Sequence, residues 1–206
     1  MNTINMMTPH DLFIKLIKDQ TIKEEKQDIW KDSPYKYLAK LQSNNAGIVG
    51  ELFIQNICEQ CGIYSNVDGT KTKKIGGGNG DGFINNKMVE IKLAHQGCAS
   101  NSFQHELGEI PWNAEYLIFV DTSPMCLYLT IIKNFNEEQY KSKTKCAPYF
   151  PTKSVTWRKK SGAFKLDTTV NINEKNILNG YTFKITPNVD YQKLKEFIEL
   201  DFDPCN

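Results

Sequence analysis

The feature that most constrains this chain is a short stretch at residues 80–92, which is typical of two strands joined by a tight turn. Asn85 and Asn86 can form a two-residue loop, since asparagine tolerates the positive φ angles that such turns need. Counting outward from this loop places Asp81 opposite Glu90, with Cβ atoms roughly 5 Å apart. The sequence therefore predicts an antiparallel hairpin that brings two carboxylates together.

Two opposed carboxylates repel each other unless a cation lies between them. The second strand alternates apolar and polar residues, so Glu90 and Lys92 emerge on the same face as Asp81. One or two carboxylates are enough to hold Mg²⁺, which keeps several of its waters. A nearby lysine can orient or deprotonate the attacking water or stabilise the transition state, so the pattern predicts metal-assisted hydrolysis. The alternative is a polar strand face with an incidental aspartate.

Length and composition indicate one globular domain. The chain has 206 residues, of which 40% are apolar, and this is enough to bury a core. It contains no run of about 18 apolar residues, so no membrane span is expected. Residues 1–7 lack the basic and apolar regions of a secretory signal, and we therefore expect a cytoplasmic protein.

The six cysteines are expected to be reduced thiols in that compartment. Cys58 and Cys61 form a lone C-x-x-C pair within a helical pattern, and a zinc site needs a second pair of ligands. His95 with Cys98 could supply that pair. The other interpretation is that Cys58 and Cys61 are small apolar residues on a buried helix face.

Apolar periodicity predicts several helices along the chain. Thr8 and Pro9 are expected to begin the first one. It carries one apolar stripe, formed by Leu12, Phe13, Leu16 and Ile17. Further helices are predicted at 22–30, 45–61 and 190–202, with a short one at 103–107 after a cap at Ser100 or Ser102. In the last long helix four residues are expected to face inward: Tyr191, Leu194, Phe197 and Ile198.

Strands are predicted at 114–120, 125–132 and 181–186, with a turn at 121–124. The run at 116–120 is apolar on both faces, which is typical of a strand in the centre of a sheet.

Glu51 lies in the predicted helix at 45–61, after Gly47 and Gly50. A glycine near the centre of a helix costs up to about 1 kcal/mol relative to alanine. That cost indicates a close approach of another backbone or of a ligand at this point. The alternative is that Glu51 is exposed on a solvated face of the helix.

Charge is distributed unevenly along the chain. Residues 133–165 contain nine basic and two acidic residues, a net charge of +7, whereas the whole chain carries +1 and the remainder therefore −6. This asymmetry predicts that the later half binds an anionic partner, and a solvated lysine-rich loop is the alternative.

The segment 155–167 combines aromatic and basic residues around a Lys-Lys-Ser-Gly turn, and such a hairpin could enter a groove of DNA. Arg158 is the only arginine in the chain. Arginine bound to guanine is the commonest specific contact to a base, so we expect Arg158 to contact a guanine or an important phosphate. The lysines are expected to contact phosphates. The predicted DNA-binding residues are Lys153, Trp157, Arg158, Lys159 and Lys160.

The order of the acidic residues and the lysine resembles the PD-(D/E)xK nuclease family. Glu51 occupies a helix, Asp81 follows, and Glu90-Ile91-Lys92 comes next. That family places an acidic residue on a helix before its central sheet, then Asp on one strand and Glu-x-Lys on the next. Gly80 precedes Asp81 where the family pattern has proline, which is a departure.

Later features are similar to type II restriction endonucleases in particular. They are the predicted helix with Phe103, Gln104 and His105, the apolar strand that ends at Asp121, and the basic hairpin. The resemblance implies an α/β (α+β) fold of the restriction-endonuclease kind, with a central mixed β-sheet flanked by helices. It implies one nuclease domain with a helical N-terminal part (1–44), a catalytic core (45–132) and a basic DNA-contacting part ending in a helix (133–206).

The resemblance also implies a role for each site residue. Asp81 and Glu90 hold Mg²⁺, the carbonyl of Ile91 is a further ligand, Glu51 supports the metal or its waters, Lys92 positions or activates the water, and Gln104 orients Lys92 or contacts a phosphate. Gln104 could equally be a surface residue.

The implied activity is Mg²⁺-dependent cleavage of double-stranded DNA within a short recognition sequence. A homodimer is expected because two copies related by a two-fold axis can cut both strands. A companion DNA methyltransferase is implied as well. Two alternatives remain: a structure-selective repair or recombination nuclease, and a DNA-binding module whose acidic cluster is only structural.

Overall fold

The computed structural model describes residues 7–67, 80–98, 100–107, 114–133, 157–160 and 163–202. Its helices are α1 (Pro9–Gln27), α2 (Ser43–Gln60), α3 (Val170–Leu178) and α4 (Tyr191–Phe202), with a 3-10 turn at Leu38–Lys40. Its strands are β1 (Ser65–Val67), β2 (Gly82–Ile84), β3 (Lys87–His95), β4 (Ser102–Leu107), β5 (Tyr116–Thr122), β6 (Leu127–Lys133), β7 (Trp157–Lys160), β8 (Ala163–Thr169) and β9 (Thr182–Ile185).

A six-stranded sheet in the order β1-β2-β3-β5-β6-β9 forms the centre of the fold. Strands β3 and β5 run parallel, whereas the other neighbouring pairs are antiparallel. A second, antiparallel sheet has the order β4-β8-β7. The predicted fold class is therefore confirmed as a mixed α/β architecture with a mixed central sheet and helices beside it.

The main hydrophobic core lies between one face of the central sheet and helices α2 and α4. Strand β5 is buried along its whole length, as its apolar run predicted. The helix side chains that meet the sheet are Ile54, Ile57, Cys58, Leu194, Ile198 and Phe202. The predicted packing role of Cys58 and Cys61 is confirmed, because both are buried in this core.

The opposite face of the central sheet is covered by the second sheet and α3. The rings of Phe103 and Tyr128 lie 6.2 Å apart, and those of His105 and Phe119 lie 4.4 Å apart. These contacts join β4 to β6 and β5, so the two sheets share a packed interface.

Asp121 fixes the second sheet in place. We predicted that 121–124 form a turn, but β5 continues through Thr122 and Asp121 is buried. Its Oδ1 lies 2.6 Å from Nε2 of His105, and its Oδ2 accepts hydrogen bonds from Thr168 and Asn173 at 2.7 Å each. A buried carboxylate requires such partners. Asp121 thereby links β5 to β4, β8 and α3.

Residues 103–107 form a strand, so the predicted short helix is wrong. Phe103, His105 and Leu107 are buried while Gln104 and Glu106 are exposed, which is the period of two that a strand requires. The serines before this segment are typical of a helix cap, but the chain pairs with β8, about sixty residues later. That distant pairing decides the local structure.

The helix predictions are confirmed in part. Thr8 caps α1 and accepts a hydrogen bond from the Asp11 N–H at 3.1 Å. The second helix predicted at 22–30 is wrong, because α1 continues to Gln27 and Trp30 is buried beyond its end. In α4, Leu194 and Ile198 are buried as predicted and Phe197 packs partly against the core.

Two further details of the helices differ from the predictions. Tyr191 is exposed, because it occupies the first position of α4, beyond the edge of the core. Helix α3 was not predicted, since Val170 and Ile172 at its start favour a strand. Thr169 caps it by accepting a hydrogen bond from the Ile172 N–H at 3.2 Å. Within the described part of the chain, no helix has both the length and the apolar character to cross a membrane.

Candidate active site

The predicted β2–β3 hairpin is confirmed. Asn85 and Asn86 have φ angles of 44° and 63°, so both turn residues adopt the positive φ expected of them. Ile84 pairs with Lys87, and Gly82 with Val89. Strand pairing ends at Gly82 and Val89, one position short of the predicted pair of Asp81 and Glu90. The two carboxylates are still neighbours, because the charge of Glu90 acts on the pKa of Asp81.

Asp81 is held against β3 by two hydrogen bonds. Its N–H donates to the Val89 carbonyl at 2.6 Å, and its Oδ2 accepts from the Ile91 N–H at 2.6 Å. The N–H and C=O of one strand residue point to the same side of the strand. The Ile91 carbonyl therefore points towards Asp81, which makes it available as a further ligand.

Gly80 explains why proline is absent before Asp81. Its φ is +87°, and a Cβ at this position would lie 2.7 Å from the Val89 carbonyl oxygen. Proline fixes φ near −65° and cannot adopt this conformation. Glycine is therefore what allows the chain to turn into the hairpin with Asp81 beside β3.

Lys92 and Glu90 form an ion pair on the polar face of β3. The ammonium group of Lys92 contacts Oε1 of Glu90, and both side chains are partly buried. Burial alone lowers the pKa of Lys92, but the carboxylates of Glu90, Asp81 and Glu51 outweigh it, so the pKa lies above its ordinary value. The lysine is therefore a stable cation in the protein without bound metal.

The pKa of Asp81 is also raised, but in a carboxyl group this shift disfavours the charged form. Burial, followed by the nearby charge of Glu90, raises the pKa of Asp81 to about 6, while the Ile91 N–H and Lys92 act in the other direction. The two neighbouring carboxylates repel each other, so one of them resists ionisation. A divalent cation between them would offset this repulsion. Their combined charge favours a hard cation.

Helix α2 brings Glu51 to this site. A Cβ on Gly50 would lie 2.8 Å from Cβ of Leu93, so the helix crosses β3 at van der Waals distance. The predicted close approach at Gly50 is confirmed. Glu51 is partly buried rather than exposed, and its carboxylate helps to raise the pKa of Lys92. A Cβ on Gly47 would have no atom within 4 Å, which leaves open space at the cleft.

An open cleft of about 770 Å³ joins these residues. The predicted site residues that line it are Glu51, Asp81, Ile91, Lys92 and Gln104. Glu90 lies beside them through its contact with Lys92. Sequence reasoning missed other polar lining residues, among them Ser43, Asn44, Ser100, Ser102 and Glu106. The sequence indicates Ser100 and Ser102 only as helix caps, while Ser43 and Asn44 lie at the start of α2 and Glu106 lies on a strand predicted as a helix.

Gln104 reaches the cleft from a strand and not from a helix. It is exposed on β4, on the same face as Glu106. Glu106 pairs with Lys165, and Lys165 pairs with Arg158. Backbone pairing therefore connects β4, which lines the cleft, through β8 to β7 of the predicted DNA-binding hairpin.

The predicted hairpin is confirmed in its two strands, because β7 pairs antiparallel with β8 and Lys160 pairs with Ala163. Lys159 and Lys160 belong to β7, and the predicted turn residues Ser161 and Gly162 lie outside the described residues. Lys153 lies outside the described residues.

The types of side-chain and backbone groups at the site determine which metal ion they could bind. Among the described residues, no three histidine, cysteine or acidic side chains are grouped to hold a metal. The zinc alternative with His95 and Cys98 is therefore not formed, since Cys58 and Cys61 lie in the core. Mg²⁺ needs only one or two carboxylates and retains water, so Asp81, Glu90 and the Ile91 carbonyl fit it.

Comparison of the chain with known proteins gave no match among family models, curated proteins or solved structures. The functional assignment therefore depends on the site itself. That site consists of the acidic residues Asp81 and Glu90, the partly buried Lys92 and the open cleft beside them.

Proposed function

We propose that this protein is a Mg²⁺-dependent endonuclease of the type II restriction kind, which hydrolyses phosphodiester bonds of double-stranded DNA within a short recognition sequence. The observation that carries the proposal is the meeting of Asp81, Glu90 and Lys92 beside the β2–β3 hairpin, with Glu51 of α2 in the same cleft. Helix, aspartate strand and Glu-x-Lys strand follow one another as in PD-(D/E)xK nucleases. The same order supports a restriction-endonuclease-like fold.

Each site residue would have a separate role in hydrolysis. Asp81, Glu90 and the Ile91 carbonyl would bind Mg²⁺, and Glu51 would hold its waters. The bound cation supplies a water of lowered pKa and neutralises charge on the phosphoryl group. Because its pKa is raised, Lys92 acts as a charged donor. It orients the attacking water and stabilises the negative charge of the pentavalent transition state. Gln104, which also lines the cleft, would contact a neighbouring phosphate.

The β7–β8 hairpin supports DNA as the substrate. It belongs to the segment of net charge +7, and its backbone pairs lead from Arg158 to the cleft wall at Glu106. Arg158 would contact a guanine, while Lys153, Lys159 and Lys160 would contact phosphates and Trp157 would pack beside them. Cleavage of both strands would use a homodimer, and a companion methyltransferase would protect the host sequence in the same cytoplasmic compartment.

One assay separates this function from its alternatives. Purified protein with Mg²⁺ is incubated with long mixed-sequence duplex DNA and with branched and flapped DNA, and the products are separated on a gel. Discrete bands from the duplex support a restriction enzyme, whereas cutting of branched DNA alone supports a repair nuclease. If the protein binds DNA but cuts none of these substrates, the result supports a non-catalytic DNA-binding module.

A matched pair of variants identifies the site in the same assay. Lys92→Ala should abolish cleavage. Lys87→Ala should preserve it, because Lys87 lies on the same strand but pairs with Glu115 at 3.6 Å on the surface. Cleavage that survives Lys92→Ala would show that another site is responsible.

A further inference from the structure

Helix α1 is an amphipathic helix that the other described residues do not cover. Every residue from Pro9 to Lys26 is exposed. The stripe predicted from the sequence is present, but it faces water: Leu12, Phe13, Leu16 and Ile17 are 48%, 66%, 55% and 51% exposed. Met7, just before the helix, is 51% exposed. A helix whose apolar stripe has no core to enter is an interaction surface.

The polar residues of α1 restrict which partner this stripe can accept. Residues 9–27 contain four lysines, two aspartates and two glutamates, so their net charge is zero. Helices that bind membrane surfaces carry a lysine- or arginine-rich polar face, and DNA-binding helices are basic as well. A neutral polar face favours neither surface. It does permit two identical helices to approach without net repulsion.

We propose that α1 is the homodimer interface of this protein, in which the stripes of two copies pack against each other in antiparallel orientation. A parallel pair would place each residue beside its own copy, so that Lys23 would meet Lys23 and Glu24 would meet Glu24 where the stripe continues. Those contacts are repulsive. An antiparallel pair centred on the stripe keeps these residues apart and sets the two helix dipoles in opposition.

The size of the surface agrees with a dimer of moderate affinity. The stripe and Met7 leave on the order of 400 Å² of apolar surface per copy in water, which is the size at which such a patch is commonly functional. Two copies would bury about twice that area. Because the pair overlaps only along the part of α1 that carries the stripe, the total stays below the roughly 1,200 Å² of standard interfaces, which fits a weak dimer.

A pair of identical substitutions tests the interface. Ile17 lies in the stripe and is 51% exposed, whereas Ile22 is 50% exposed and lies about 150° from the stripe centre. Sedimentation equilibrium of the full-length chain without DNA or metal gives the dimer dissociation constant. We expect a wild-type constant in the micromolar range. Ile17→Glu should raise it at least tenfold, and Ile22→Glu should change it less than threefold.

Several outcomes would overturn the inference. They are a wild-type chain that stays monomeric at 100 μM, an unchanged dimer in Ile17→Glu, and equal weakening by both substitutions. Circular dichroism of both variants checks that α1 stays helical. The inference rests on the proposed nuclease function only in one respect: cutting two DNA strands is the reason why a dimer would be needed. A dimer without cleavage activity would therefore contradict that function alone, and an active monomer would contradict the interface alone.

Discussion

The ammonium group of Lys92 contacts the carboxylate of Glu90, two residues earlier on β3. The lysine proposed to assist hydrolysis is therefore paired with a proposed ligand of the cation. A divalent cation at Glu90 has to compete with Lys92 for that carboxylate, and the two positive charges repel each other.

This competition predicts that Lys92→Met binds divalent cations more tightly than the wild type, because one positive charge is removed from the site. We expect the dissociation constant for Ca²⁺ or Mg²⁺, measured by titration calorimetry, to fall about tenfold, equivalent to about 1.4 kcal/mol. Lys87→Met is the control, since Lys87 is only partly buried and pairs with Glu115. Unchanged or weaker binding in Lys92→Met would argue against Glu90 as a ligand.

The raised pKa of Asp81 predicts how stability depends on pH. Its value of about 6 lies above that of an ordinary carboxyl group, so ionisation of Asp81 destabilises the fold. This cost is fully present above pH 6 and is lost as the pH falls towards 4. Asp81→Asn, which cannot ionise, should therefore be more stable than the wild type by about 2 kcal/mol at pH 8, and by less at pH 5.

Urea unfolding in the presence of EDTA measures this difference. Asp32→Asn serves as the control, because Asp32 is exposed. A stability gain that does not depend on pH, or a loss at pH 8, would contradict the burial and charge repulsion described for Asp81.

The contact between α2 and β3 predicts opposite effects for two glycines of one helix. Gly50→Ala places a Cβ 2.8 Å from Leu93, so it should destabilise the protein by about 1–3 kcal/mol and displace Glu51. Gly47→Ala meets no atom within 4 Å and should stabilise the helix by up to about 1 kcal/mol. Thermal unfolding of the two variants gives both values. Equal effects would mean that α2 does not pack on β3 through Gly50.

Substitutions in the basic hairpin should weaken DNA binding in two different ways. Arg158→Ala should cost about 1–3 kcal/mol for a cognate site and less for other DNA, whereas Lys159→Ala and Lys160→Ala should weaken binding to both alike. Each lysine variant should also reduce the salt dependence of binding by about one unit. Fluorescence anisotropy in Ca²⁺ at several salt concentrations measures these quantities. Equal losses for cognate and unrelated DNA in Arg158→Ala would assign this arginine to a phosphate.

The parts of the site that sequence could predict are those fixed by local chemistry. Asn85 and Asn86 specify a two-residue turn, and the turn sets the register of β2 and β3 as far as Gly82 and Val89. The glycine at position 50 indicated a close approach that the helix–strand contact confirms. In each case the information lies within a few residues.

The parts that sequence could not predict depend on distant partners. Residues 102–107 become a strand only through pairing with β8, and Asp121 is buried only because Thr168 and Asn173 satisfy its carboxylate. The stripe of α1 is typical of a core helix, yet it is exposed. Periodicity identifies an apolar face but not the surface that it meets.

Single-turnover cleavage of cognate duplex DNA by wild type, Lys92→Met and Lys87→Met tests directly whether Asp81, Glu90 and Lys92 form the catalytic site. Cleavage is measured in Mg²⁺, and DNA binding is measured in parallel in Ca²⁺. If Asp81, Glu90 and Lys92 form the catalytic site, Lys92→Met binds DNA like the wild type but cuts it at least about 100-fold more slowly, while Lys87→Met cuts normally. Cleavage by Lys92→Met at close to the wild-type rate would contradict the account.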